Sequence, residues 1–81
     1  MRGLATTLAD AEIGLRVRVT LLSGVDQADL VCLAGVGILP GVDVMVLRRT
    51  PTLCVDVDGA CFAIDGRLAR GVVVERWEPP A

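Results

Sequence analysis

Histidine is absent from this chain of 81 residues. Histidine is the commonest general base and the commonest metal ligand near neutral pH, so no serine–histidine or cysteine–histidine pair exists for nucleophilic catalysis. Asp56 and Asp58 lie two residues apart on one predicted strand. We interpret them as solvated surface charges, because an acid–base pair needs a cleft that perturbs the pKa values of its carboxyl groups. The sequence therefore offers no catalytic constellation.

Aromatic residues and lysine are also scarce. The chain has one Trp, one Phe and no Tyr, and its eight basic residues, all arginine, face ten acidic ones for a net charge of −2. Binding to nucleic acid needs a clustered positive face, and binding to single strands also needs aromatic rings on which bases stack. We therefore predict no nucleic-acid partner.

Long apolar runs are missing too. No run reaches the roughly 18 residues of a membrane-spanning helix, and residues 1–11 lack the apolar stretch of a secretory signal. We therefore expect a soluble, cytoplasmic chain without membrane insertion. Its length predicts one domain. With 53% hydrophobic but only 2% aromatic residues, the core must consist mainly of valine, leucine and alanine.

The chain has three cysteines, an odd number that argues, without a secretory signal, against a disulfide framework. Cys54, Asp56 and Cys61 fall on the outer face of a predicted hairpin and are the best candidates for a metal site. They lack Cys-x-x-Cys spacing, and diagonal neighbours on paired strands lie about 7–8 Å apart. We interpret them as small, half-buried side chains and predict no cofactor, with a metal site as the alternative.

Hydrophobic periodicity predicts five short strands and one helix. The strands cover residues 15–22, 42–49, 53–57, 60–64 and 71–77. The helix lies between the first two strands, from an N-cap at Asp26 to about Val36, and Gly37 ends it. Thr7 is predicted to cap an earlier single turn, residues 66–70 form a turn, and residues 78–81, with two prolines, form a flexible tail. Short strands with tight turns favour a partly open barrel.

Asp58-Gly59 is a strong signal for a two-residue hairpin turn. It sets the pairs Val57–Ala60, Asp56–Cys61, Val55–Phe62, Cys54–Ala63 and Leu53–Ile64. Because side chains alternate between faces, the core face is predicted to hold Leu53, Val55, Val57, Ala60, Phe62 and Ile64. In the first strand, alternation likewise places Val17, Val19 and Leu21 on one face.

Met45 and Leu47 alternate with the valines of the second predicted strand and precede Arg48 and Arg49. If the valines fill the barrel, Met45 and Leu47 lie either outside, where they suit a protein partner, or under the helix. Trp77 is interpreted as a plug on the barrel end, with a role as partner anchor as the alternative.

In order and spacing, the segments from Thr7 to Glu75 resemble the FeoA family. Four segments carry the resemblance: Thr7-Leu-Ala-Asp; the helix end Leu33-Ala-Gly-Val-Gly-Ile-Leu-Pro-Gly41; the strand Val42-Asp-Val-Met-Val-Leu-Arg-Arg-Thr-Pro51; and the hairpin Val55-Asp-Val-Asp-Gly59 with Phe62-Ala-Ile64.

This resemblance implies a mainly β, SH3-like five-stranded barrel with a short helix between strands 1 and 2. Residues 1–81 would form one such domain with a core at about 7–77. It also implies a non-enzymatic accessory protein of bacterial ferrous iron uptake, which binds the cytoplasmic part of the FeoB transporter and its GTPase domain. Such a chain would be cytoplasmic and peripheral at the inner membrane through the transporter.

The expected contact surface is Met45, Leu47, Arg48 and Arg49. The alternative function is a small metal-binding chaperone that uses Cys54, Asp56 and Cys61. The sequence does not decide whether the chain forms a homodimer through an edge strand.

Overall fold

The computed structural model describes residues 6–76. Its elements in chain order are β1 (Thr6–Thr7), a 3-10 turn (Leu8–Asp10), β2 (Arg16–Leu22), α1 (Gln27–Gly35), β3 (Asp43–Arg48), β4 (Leu53–Val57), β5 (Ala60–Ile64), α2 (Gly66–Ala69) and β6 (Val72–Arg76). The predictions for Trp77 and for the tail at 78–81 lie outside the described residues.

The strands form one sheet in the order β1-β6-β2-β3-β4-β5, and every neighbouring pair is antiparallel. The predicted mainly β class is confirmed, with a helix between the first two long strands. The sheet has six strands rather than five, because Thr6 and Thr7 pair with Val74 and Val73 of β6. A strand of two residues is too short to show alternation, so periodicity missed it.

The β4–β5 hairpin has the predicted register in all five pairs. Asp58 and Gly59 both adopt positive φ, at 53° and 87°, as a two-residue turn of the favoured hairpin type requires. The predicted core face is corrected at Ala60, which is exposed, whereas Phe62 is half-buried and packs against the core. Both belong to β5, which is the last strand of the sheet among residues 6–76 and pairs there only with β4.

Both predicted ends of α1 are confirmed. The Asp26 carboxylate accepts a hydrogen bond from the backbone N–H of Asp29 at 2.9 Å. At the other end, Gly37 adopts φ 87° and donates to the Ala34 carbonyl, while Ile38 donates to that of Leu33. This is the Schellman arrangement, in which the residues at its two ends also pack together. Leu33 and Ile38 are accordingly buried.

The predicted turn after Thr7 forms, but without its predicted cap. The Thr7 side chain makes no capping hydrogen bond, and its buried hydroxyl has no partner. Backbone pairing of Thr7 with Val73 holds the residue in the sheet. The turn still serves the core, because Leu8 is fully buried.

The core is built almost entirely from aliphatic side chains, as the composition predicts. Its buried members are Leu8, Ala11, Val17, Val19, Leu33, Ile38, Val44, Val46, Leu53, Val55, Val57, Ile64, Ala69, Val72 and Val74. Leu21 is not among them, contrary to its predicted alternation with Val17 and Val19. The register of β2 on β6 shifts between Val19 and Leu21, and this irregularity leaves Leu21 49% exposed.

Candidate protein-binding surface

Strand β3 has a bulge at Leu47. Val46 pairs with Val55 of β4, but Arg48 pairs with Cys54, so Leu47 is an extra residue in the ladder. A bulge turns the strand and changes where its side chains point. Val46 is fully buried, whereas Leu47 is 39% exposed. Of the two alternatives for Leu47, the structure therefore selects the position outside the barrel.

Met45 and Arg48 flank this leucine. Met45 is half-buried on the outer face, where it lies between Arg16 of β2 and Asp56 of β4 in the pairing register. Arg48 is exposed. The end of α1, at Ala34 and Gly35, lines one groove together with Met45, and a Cβ added to Gly37 would lie 3.5 Å from a methyl group of Val57.

Ile13 lies next to β3, and sequence reasoning missed it. Its backbone forms an isolated parallel bridge with Val46, and the N–H of Gly14 donates to the Val46 carbonyl at 2.9 Å. The Ile13 side chain is 50% exposed. An isolated isoleucine between Glu12 and Gly14 has no periodicity that could have identified it. We refer to Ile13, Met45, Leu47 and Arg48 together as the Leu47 surface.

Arg49, the fourth residue expected at the contact surface, supports the fold. Its Nε donates to the Ala9 carbonyl at 3.0 Å, and its terminal nitrogen donates to the Ala11 carbonyl. These carbonyls belong to the turn after β1 and to the residue that follows it. The partly buried Arg49 therefore ties this segment to the end of β3, while Arg48 points to solvent.

The hairpin does not gather the candidate metal ligands. Asp56 is directly opposite Cys61, but Cys54 is opposite Ala63, and all three cysteines of the chain are free thiols. Between residues 6 and 76, no group of three or more cysteine and carboxylate side chains is arranged to hold a metal ion. The alternative that placed a metal at Cys54, Asp56 and Cys61 thus finds no support in the geometry.

Comparison with known proteins decides the family. The model of the FeoA domain matches residues 6–76, nearly the whole chain. The chain belongs to the FeoA domain family. This family is associated with ferrous iron transport, and the resemblance noted in the sequence is confirmed. No curated protein sequence matches the chain.

Solved FeoA structures share the fold. An iron uptake regulatory protein, FeoA, is 25% identical, with 93% of this chain and all of that chain covered and a TM-score of 0.84. FeoA of Chlorobium tepidum is 23% identical, with coverages of 94% and 74% and a TM-score of 0.81. Zinc-bound FeoA of Stenotrophomonas maltophilia, an SH3 domain protein, is 24% identical, with coverages of 86% and 89% and a TM-score of 0.75. The SH3-like fold is therefore confirmed.

In the part of this FeoA-family chain that the structure describes, neither helix has the length and apolarity to cross a bilayer.

An ion pair joins the two helices. Arg67 of α2 donates to both carboxylate oxygens of Asp29, at 3.0 and 3.2 Å. Asp29 is the third residue of α1 and only 8% exposed. The hydrogen bonds from Arg67 lower the pKa of Asp29, and the backbone at the Asp26 cap lowers it further.

Replacing Asp29 is expected to destabilise the protein in a pH-dependent way. Because folding lowers the pKa of this carboxyl group from its ordinary 3.8, the charged form contributes stability above that pH. The contribution is lost as the pH falls through the lower pKa of the folded state. Asp29→Asn should therefore unfold with a lower free energy than wild type at about pH 7, and this difference should become smaller at about pH 2.5. Urea unfolding at both pH values measures it.

Arg67→Gln is the matched control for the ion pair. It should lower stability at neutral pH, and the double variant Asp29→Asn with Arg67→Gln should lose less than the sum of the two single losses. Additive losses, or a wild-type-to-Asp29→Asn difference that is equal at both pH values, would show that the pair does not couple the two helices.

Proposed function

We propose that this chain is a non-enzymatic accessory protein of bacterial ferrous iron uptake, which binds the cytoplasmic part of a FeoB-type transporter through the Leu47 surface. Membership of the FeoA domain family supports the role in iron transport. In this role the protein is cytoplasmic and becomes peripheral at the inner membrane when the transporter binds it.

The observation that carries the proposal is the bulge at Leu47. Regular alternation already places Leu47 outside, but it would place Arg48 on the buried face with Val46. The extra residue instead leaves Leu47 and Arg48 exposed side by side. Bulges are over-represented next to functional sites, where they redirect a side chain.

The chemistry of the Leu47 surface suits a protein partner. Ile13, Met45 and Leu47 are aliphatic or thioether side chains that bind by burial, and Arg48 supplies a cation beside them. Interface cores are enriched in methionine and arginine and depleted of other charged residues. The Leu47 surface carries no nucleophile and no general base, so its side chains fit docking rather than catalysis.

Leu47→Asp is expected to weaken binding of the isolated FeoB GTPase domain by at least about tenfold. The substitution removes an apolar anchor and places an unpaired carboxylate in a desolvated contact, which costs about 2 kcal/mol or more. Isothermal titration with purified proteins, in the presence of GDP and of a non-hydrolysable GTP analogue, measures the change.

Leu21→Asp is the matched control, because Leu21 is also an exposed leucine beside a strand irregularity. It lies in β2, five residues beyond Arg16, the partner of Met45, or about 17 Å along the strand. The affinity of the Leu21→Asp variant for the GTPase domain should stay within about twofold of wild type. Equal loss in both variants, or binding by Leu47→Asp at wild-type strength, would remove the Leu47 surface from the interface.

A further inference from the structure

Strand β5 is an unprotected edge of the sheet. In the described residues 6–76, β5 pairs only with β4, and its Ala60, Cys61 and Ala63 are exposed. Natural edge strands usually carry a lysine, a proline or a bulge that prevents further pairing. β5 has none of these: its sequence is Ala-Cys-Phe-Ala-Ile, and its register on β4 is unbroken. The opposite edge, β1, is only two residues long.

The hairpin register fixes which backbone groups face outward. In a two-residue hairpin the residues that flank the turn form a hydrogen-bonded pair, and such pairs then alternate with non-hydrogen-bonded ones. Ala60, Phe62 and Ile64 therefore bond to β4, whereas Cys61 and Ala63 direct their N–H and C=O groups to the open side. Two backbone N–H donors and two C=O acceptors are thus available to pair with an added strand.

A groove borders the same edge. Its volume is about 940 Å³, and its walls include Ala60 and Phe62 of β5, Val57 of β4, and Val36 after α1. An added strand would direct alternate side chains toward this face, because side chains alternate along a strand. Backbone pairing plus a lateral pocket is the arrangement by which sheet edges recognise extended peptides.

The charges at the two ends of β5 indicate which kind of chain can pair with this edge. Asp58 precedes β5 and Asp65 follows it, so a carboxylate stands at each end of the uncharged strand. A second copy paired antiparallel about Phe62 would place Asp58 of each copy opposite Gly66 of the other, one residue from its Asp65, so that like charges come close and repel. A segment with a cation at each end would instead meet opposite charges at both ends.

We propose that β5 binds an extended apolar segment of another protein by strand addition, and that this segment carries basic residues about seven positions apart. That spacing matches Asp58 and Asp65, which are seven residues apart, or about 24 Å of extended chain. The groove includes Met45 of the Leu47 surface, but the outward backbone groups belong to β5 alone, so the proposal stands independently of the function assigned above.

The test is a nuclear magnetic resonance titration of the full, ¹⁵N-labelled chain with a capped octapeptide. The peptide has a lysine at each end and alternating valine and threonine between them. The largest amide shifts should occur at Cys61 and Ala63, and a peptide with glutamate at both ends should bind at least about fivefold more weakly. Equal binding of the two peptides, no binding, or shifts centred away from β5 would overturn the proposal.

Ala63→Pro removes one outward N–H and no bond to β4, so it should abolish binding, while Ala63→Val keeps that N–H and should bind like wild type. Circular dichroism checks that both variants fold. If Ala63→Pro does not fold, the double variant Asp58→Asn with Asp65→Asn decides. Asparagine tolerates the positive φ of Asp58, and it can replace Asp65, whose carboxylate caps α2 by accepting a hydrogen bond from the Arg67 backbone N–H at 2.8 Å. That double variant should bind the lysine peptide about three- to tenfold more weakly; unchanged affinity would overturn the proposal.

Sedimentation of the chain alone tests the other occupant. We expect a monomer for wild type and for Ala63→Val. A wild-type dimer that Ala63→Pro converts to monomer would show that a second copy covers β5, and would overturn the proposed hetero-partner.

Discussion

Leu33→Ala is expected to lower the free energy of unfolding by about 2–5 kcal/mol, the range for a buried leucine whose removal leaves a cavity. Leu33 is 1% exposed and is the one buried apolar residue within α1. It packs in the aliphatic core, and its carbonyl closes the helix by accepting from Ile38. A domain of this size has only about 5–15 kcal/mol of stability, so the loss is a large fraction. Chemical denaturation with urea measures it.

Leu30→Ala is the control within the same helix. Leu30 is 40% exposed, and the same truncation should there cost about 1 kcal/mol or less. A similar loss for the two leucines would contradict the account, because it would mean that α1 is not attached through Leu33.

Gly71→Ala is expected to destabilise the protein by about 1–3 kcal/mol, the usual cost of overpacking. An added Cβ would lie 2.8 Å from the backbone oxygen of Ser23 and 2.5 Å from a methyl group of Val25. The Ser23 backbone is itself held to this position, because its N–H donates to the Gly71 carbonyl at 2.8 Å. A flexible side chain could move away, but this backbone cannot do so without losing that bond. Thermal unfolding gives the change.

Gly35→Ala is the control, because an added Cβ at this glycine meets no neighbouring atom. Gly35 is the last residue of α1, is exposed, and has no atom within 4 Å of the position of an added Cβ. Alanine should stabilise the helix there by up to about 1 kcal/mol. Stabilisation by both substitutions would show that the chain does not pass closely at Gly71.

The sequence predicted the hairpin and α1 well, because local chemistry determines them. Asp58-Gly59 permits the positive φ values of one turn type, and that turn fixes every pair of β4 and β5. Asp26 and Gly37 mark the two ends of α1 by equally local means, a side-chain cap and a left-handed residue.

The predictions from sequence were wrong where pairing between strands that are distant in the sequence determines which residues are buried. Alternation predicts burial of Leu21, but an irregularity in its pairing with β6 exposes it. Ala60 has the right phase for the core but is exposed, because β5 lies at the end of the sheet formed by the described residues, which no local pattern shows. The strand at Thr6 and Thr7 exists through its partner β6 rather than through its own pattern.

The candidate site was predicted in part for the same reason. Sequence alone identified Leu47 and Arg48 as neighbours of a valine strand, and the bulge that exposes Arg48 beside Leu47 depends on how β3 pairs with β4. Ile13 joins them only through a bridge to Val46 across 33 positions of chain, and Arg49 differs from Arg48 because carbonyls of the turn after β1 bind it. Long-range pairing of this kind leaves no periodic signal.

Photocrosslinking in cells that contain the transporter tests whether the Leu47 surface contacts it. A benzoylphenylalanine residue replaces Leu47 in one strain and Leu21 in another, and ultraviolet light traps whatever touches each position. The account predicts an adduct with the FeoB transporter from position 47 and none from position 21. An adduct from position 21 alone, or no transporter adduct at position 47 with folded protein present, would contradict it.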